Sequence, residues 1–182
     1  MNNHSWLLAP ALILSATPAI YAKEFNIQYP TYQESQKNFF PAATAFVPAD
    51  ITLTEGEIDQ IQDMSKVRVR DPKQKVWKVE QNGHHVGWFI IDKVVGKHEL
   101  ITYAIALTAE GKVKGIEILD FKESYGEQIH ELQWRAQFIS KTISDPFKLD
   151  QDIRNISGAT LSCKNVTNGV KRLLATYAVK LK

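Results

Sequence analysis

Residues 86–121 read VGWFIIDKVVGKHELITYAIALTAEGKVKGIEILDF, and their pattern decides the fold. Three runs rich in β-branched and aromatic residues, Val86–Val95, Glu99–Leu107 and Lys112–Phe121, are set apart only by Gly96-Lys97-His98 and by a turn around Glu110-Gly111. Runs of this composition are strands. Connections this short join antiparallel neighbours, because a parallel crossover needs a dozen or more residues. Upstream, Val67/Val69 and Val76/Val79 begin the same pattern. Downstream the period becomes helical. Within Glu127–Lys141, residues Ile129, Leu132, Ala136 and Ile139 share one helical face, widened by Trp134 and Phe138. From about Ser162 to Lys180, the residues Val166, Val170, Leu173, Leu174, Tyr177 and Leu181 repeat that period, with Ser162 suited to the N-cap. The expected fold class is α+β: an antiparallel meander with helices packed on it, in a single domain.

Working outward, Thr54-Glu55-Gly56-Glu57 has capping-box spacing and predicts a short helix near 55–65. Residues 23–50, with Tyr29-Pro30, Phe39-Phe40-Pro41 and Phe46-Val47-Pro48, show no sustained period and predict an irregular lead-in packed onto the rest. Residues 1–22, MNNHSWLLAPALILSATPAIYA, lack any Lys, Arg, Asp or Glu and close on a small residue. They read as a secretory signal peptide, with an uncleaved anchor as the alternative. The apolar run, interrupted by Pro10 and Pro18, falls short of the ~20 apolar residues a spanning helix needs. The division expected is therefore 1–22 signal peptide, 23–80 lead-in with a short helix, and 81–182 the functional domain, working in the periplasm or elsewhere outside the cytoplasm.

Charge and cysteine content exclude several classes. The 182 residues carry 22 Lys+Arg against 20 Asp+Glu, a formal net of +2, with no block of like charges of the kind that grips nucleic acid. The single cysteine, Cys163, offers no internal disulfide and no Cys-x-x-Cys metal site. It reads as a small buried hydrophobe, with a reactive thiol at a helix start as the alternative. His84 and His85 are adjacent, so a strand turns them to opposite faces.

The chemistry lies in Asp152–Ser162, DIRNISGATLS. Ser157-Gly158-Ala159-Thr160 fall in the tight connection before the last helix, which sets the Thr160 hydroxyl beside free helical N–H groups, a position that favours a phosphate. Gly158 permits a positive φ, and the small residues at 158 and 159 leave room for a planar group near the backbone. A plain turn and cap accounts for the same residues.

At these positions the chain resembles the FMN-binding domain family, found in the flavin-carrying subunits of sodium-translocating quinone reductase and Rnf-type electron-transport complexes and in small exported flavoproteins. The family pattern is an acidic residue, a spacer, Ser/Thr-Gly-Ala-Thr, and Ser or Thr one position on; Asp152, Ser157-Gly158-Ala159-Thr160 and Ser162, with Leu161 between, fill it. Family members commonly carry Glu-Thr-Pro-Gly-x-Gly after a strand. Here Glu123-Ser124-Tyr125-Gly126-Glu127-Gln128 keeps Glu123 and Gly126 but has Tyr125 for Pro and Gln128 for Gly. Trp134 and Gln137-Phe138 follow at the family's distance, and the resemblance runs from about Gly83 to Tyr177.

The resemblance implies FMN joined through its phosphate to the Thr160 oxygen, placed there by a separate flavin transferase that draws on FAD. It implies redox partner proteins or a membrane electron-transport complex as the chain's associates. Lys164 and the helix N-terminus would offset the phosphodiester charge by ~0.3–1 kcal/mol. Tyr125 is a candidate to stack on the flavin or a surface turn aromatic. Glu123 either binds N–H groups of its own loop or contacts the flavin, and Asp152 is placed first as a turn cap. No residue reads as a substrate acid, base or nucleophile. An electron carrier is therefore expected, with an exported binding or assembly module as the rival and a flavin component that reduces a terminal acceptor as the third reading.

Overall fold

The two central strands, β4 (His84–Val95) and β5 (Leu100–Thr108), pair without interruption from Gly87↔Thr108 to Val95↔Leu100. In the computed structural model, which describes residues 28–182, they are the middle of a six-stranded antiparallel sheet. The other strands are β1 (Ala45–Pro48), β2 (Ile51–Thr52), β3 (Lys73–Gln81) and β6 (Val113–Asp120), in the order β1-β3-β4-β5-β6, with β2 also on β3. Asn82-Gly83, both at positive φ, make the β3–β4 turn. The expected α+β meander is the fold, and the three runs of residues 86–121 are β4, β5 and β6. The signal-peptide reading falls on residues 1–22, outside the described residues.

β5 is buried on both faces and divides the core by side-chain size. Ile101, Tyr103, Ile105 and Leu107 face the final helix, α4 (Thr160–Thr176), through Val166, Val170 and Leu173. Ala104 and Ala106 face the other way, and their small side chains leave space for Phe40, Trp77 and Phe89. That second layer is closed by a helix where an irregular lead-in was expected: α1 (Tyr32–Phe39) has a complete capping box from Thr31 and Glu34. The aromatics of Phe39-Phe40 seat it, since a Cβ at Gly115 would meet the Phe39 ring and one at Gly87 the Phe40 ring. The expected 55–65 helix is α2 (Glu55–Ser65), capped by Thr54 and Glu57. Its Ile61 packs with Leu53, Val69 and Ala175.

Two helical expectations are corrected. Glu127–Lys141 is no single helix but a 3₁₀ turn (Glu127–His130), the short α3 (Leu132–Arg135) and a second 3₁₀ turn (Ala136–Phe138). Leu132 and Ile139, read as core, are 71% and 51% exposed, whereas Ile129, Trp134 and Phe138 are buried. Tertiary hydrogen bonds outweigh the helical period here: the Arg135 guanidinium donates to the carbonyls of Ile116 and His130 and pairs with Glu117, holding the segment against β6. The second correction concerns α4. Its N-cap is Ala159, and Ser162 is buried inside the first turn. The predicted stripe of Val166, Val170, Leu173, Leu174 and Tyr177 is buried.

Candidate functional site

Three connections meet at the N-terminus of α4: the β4–β5 turn, the loop after β6 and the 152–159 segment. Glu123 ties the first two together, its carboxylate accepting from the N–H of His98 at 2.6 Å and of Glu99 at 3.0 Å. Partial burial pushes this carboxyl upward, but the N–H groups of Glu99, His98 and Lys97 outweigh it and hold it below its ordinary value. The second and third connections touch at Gly126, where an added Cβ would lie 2.5 Å from the Ala159 Cβ. Gly126 also sits at φ 93°, so both conformation and space call for glycine. Asp152 caps its own turn: it accepts from Lys141 Nζ at 2.9 Å and from the N–H groups of Phe147 and Lys148.

These contacts present Ser157–Thr160 as a rigid ledge. Gly158 lies at φ 82° with open space around it, whereas Ala159 is filled by its contact with Gly126 and leaves no room beside it. The room expected at both small residues therefore exists only at Gly158. Thr160 is exposed as the first residue of α4, Leu161 beside it is 48% exposed, and Ser157 is exposed. No side chain caps α4, so its first N–H groups are open to an anion. Burial pushes the Cys163 thiol up, leaving it a core residue rather than a nucleophile. Tyr125 is 77% exposed.

Beside the ledge lies a cleft of about 480 Å³ between the 128–137 segment and residues 154–157, with Ser157 on its wall. Trp134 forms one side and is anchored by its indole N–H to the Arg154 carbonyl at 2.8 Å. Gln137 accepts from the Arg154 N–H and donates to the Trp134 carbonyl. Asn155 lines the cleft with a buried Oδ1 that has no hydrogen-bond partner. A buried acceptor left unpaired costs about 1–3 kcal/mol, so a ligand N–H here would be stabilising. Arg154 was not singled out from the sequence, and Asn155 stood out there only as part of an Asn-Ile-Ser glycosylation sequon and not as a cleft residue, although both lie inside the motif segment. A planar, amide-edged ring carrying a phosphate fits this donor and acceptor set.

Residues 96–175 match the FMN-binding domain family. The matched span begins at the β4–β5 turn and ends within α4, so it takes in all three connections of the site. The resemblance read from Ser157-Gly158-Ala159-Thr160 is thereby met. Two solved structures share its fold. NqrC of Shewanella oneidensis is 15% identical with a TM-score of 0.50, over 78% of this chain and 73% of that one. A component of the Na(+)-translocating NADH-quinone reductase of Parabacteroides distasonis is 13% identical with a TM-score of 0.51, over 82% and 83%. No curated protein matches the chain. Among the described residues, no helix is long and apolar enough to cross a membrane and no group of three His, Cys, Asp or Glu could hold a metal.

Proposed function

We propose that the chain is an exported electron carrier that holds FMN through a phosphoester on Thr160. The observation that carries this reading is the uncapped start of α4, with the exposed Thr160 hydroxyl, set next to a cleft that contains an unpaired buried acceptor. The N–H groups of the first turn would hold the phosphate, Trp134 would cover the ring, and Asn155 would accept from its edge. When bound, FMN supplies the one- and two-electron chemistry. The chain's part is to position the group, limit its contact with water and present one edge to a partner. The cleft offers side-chain amides, the Trp134 indole, the Arg154 guanidinium and the Glu131 carboxylate to hold and orient such a group.

Attachment requires a flavin transferase: the Thr160 Oγ1–phosphorus bond forms as the pyrophosphate bond of FAD breaks, AMP leaves, and the hydroxyl proton passes to a base of the transferase. A covalent link keeps the carrier loaded at any dilution outside the cell, where a dissociable cofactor would be lost by mass action. By analogy with the quinone-reductase components, the redox partner is a membrane electron-transport complex. Residues 1–22 are the export signal of this proposal. A second reading, the same fold without attached flavin, draws on Tyr125 and Gln128, which stand where the family has Pro and Gly.

Intact mass spectrometry of the exported chain, co-expressed with a flavin transferase, separates the two. The expected mass gain is FMN less one water, resistant to denaturation and absent from Thr160→Ala. An unmodified wild-type mass beside a transferase shown to act on a known substrate overturns the carrier.

A further inference from the structure

A second concavity of about 630 Å³ lies between β4, the 66–75 segment and α4, and nothing in the flavin reading uses it. Its wall carries Lys66, Arg68, Arg70, Lys73, Lys75 and Lys93, and Arg172 lies deeper; the acidic residues are Asp71 and Asp92 alone. Asp92 is already neutralised by Arg172 at 2.6 Å and accepts from Tyr103 at 2.7 Å, all three being buried. Lys66 and Lys75 have exposed partners in Asp63 and Asp50, but among the described residues Arg68, Arg70, Lys73 and Lys93 have no ion pair. With Asp63 and Asp50 counted beside Asp71 and Asp92, the seven basic groups keep a local excess of three positive charges, in a chain whose formal net is only +2.

The basic wall is also held in shape. Val69 is buried against Leu53, Ile61 and Ala175, its N–H donates to Gln62, and the Val67 N–H donates to Ser65. Arg68 and Arg70, on either side of Val69 along the segment, are exposed. At the other end the groove is apolar: Val95 and Leu100, both exposed, line it next to Asn165, which is bonded to the Val95 carbonyl. Asn165 lies five residues after Thr160 on the same helix, about 7 Å along its axis.

We propose that this groove docks an acidic, extended segment of a partner protein, with carboxylates along the basic wall and an apolar side chain against Val95 and Leu100. An apolar contact within a charged rim is the ordinary anatomy of a protein interface, and charge complementarity of this kind sets encounter rate and register. A flat bilayer cannot enter a concavity, and single-stranded nucleic acid is bound on aromatic platforms, of which this groove has none among its lining residues. The docked segment would end beside the helix that carries Thr160.

Binding can be read on the whole chain without flavin, so its failure leaves the Thr160 proposal intact. The probe is a fluorescein-labelled octaglutamate peptide followed by anisotropy at low salt. Arg68→Glu/Arg70→Glu should weaken it about tenfold or more, while Lys112→Glu/Lys148→Glu, with the same change of net charge, should weaken it by less than about twofold. Both double variants should melt with the wild type, since all four side chains are exposed. Equal losses in the two variants would overturn the groove as a site. Displacement of the peptide by stoichiometric inorganic pyrophosphate would replace it with a small-anion site. Charge-reversal-sensitive binding to phosphatidylglycerol/phosphatidylcholine vesicles, without peptide binding, would replace it with a membrane surface.

Discussion

At the scale of single residues, the acidic members of the family pattern act on backbone. Asp152 gathers Lys141 and two N–H groups into the turn that precedes the ledge, and both side chains of the ion pair are largely shielded. Burial pushes the Asp152 carboxyl up, but Lys141 and the N–H groups of Lys148 and Phe147 more than offset it, so it titrates below its ordinary value. A carboxyl depressed in the folded state contributes stability that is complete above its unfolded value of ~3.9 and is lost as pH falls through the folded value. Asp152→Asn should therefore cost about 1–3 kcal/mol near neutral pH. The gap in Tm between variant and wild type should close as the pH is taken from about 5 towards 2. Thermal melts across that range check it; a gap independent of pH would show that the charge on Asp152 contributes nothing. The turn before α4 at Gly158 was legible from the residues, with Thr160 opening the helix, whereas the choice of a phosphate over a plain turn and cap there came from the family resemblance alone. The orphaned oxygen of Asn155 was not legible, because burial without a partner is a property of packing.

Among the elements, α4 was the most legible helix, since Val166, Val170 and Leu173 keep one period against one sheet face. Its interior glycine shows what periodicity leaves out. Gly169 ordinarily costs a helix about 1 kcal/mol relative to alanine, so Gly169→Ala would stabilise an isolated helix. Here a Cβ would run into the Tyr103 hydroxyl and lie 2.9 Å from Val94. Tyr103 is fully buried and bonded to Asp92, and it has nowhere to retreat. The clash outweighs the propensity, and the variant should lose about 1–3 kcal/mol by urea denaturation; a gain in stability would show that α4 can lift from the sheet at no cost. The 127–138 segment misled for a related reason. Its apolar residues fit a helix, but the bonds of Arg135 and Trp134 to other elements fix a broken path instead. α1 was missed because its capping box, Thr31 to Glu34, lies in a segment whose prolines and polar residues hide the period.

Across the whole molecule, charge is arranged in a way the sequence order conceals. Lys66 to Lys75 alternate with Val67, Val69, Asp71 and Gln74, so no block of like charge is visible until the valines turn inward and the fold adds Lys93 and Arg172. Under that groove, Asp92 of β4, Tyr103 of β5 and Arg172 of α4 form one buried network that joins the sheet to its covering helix. Burial, reinforced by the Asp92 charge, pushes the Tyr103 phenol well above its ordinary range, so it remains a neutral donor to Asp92. Asp92→Leu would strand a buried guanidinium and a buried hydroxyl, and a loss of about 3–5 kcal/mol in urea unfolding is expected. Replacing all three with apolar groups of similar volume, Asp92→Leu/Tyr103→Phe/Arg172→Met, removes every stranded partner and should recover most of that loss. Unfolding midpoints of the single and triple variants decide it: if the triple is no more stable than the single, the network contributes through the ion pair's own attraction, and α4 is held to the sheet by charge as much as by its apolar stripe.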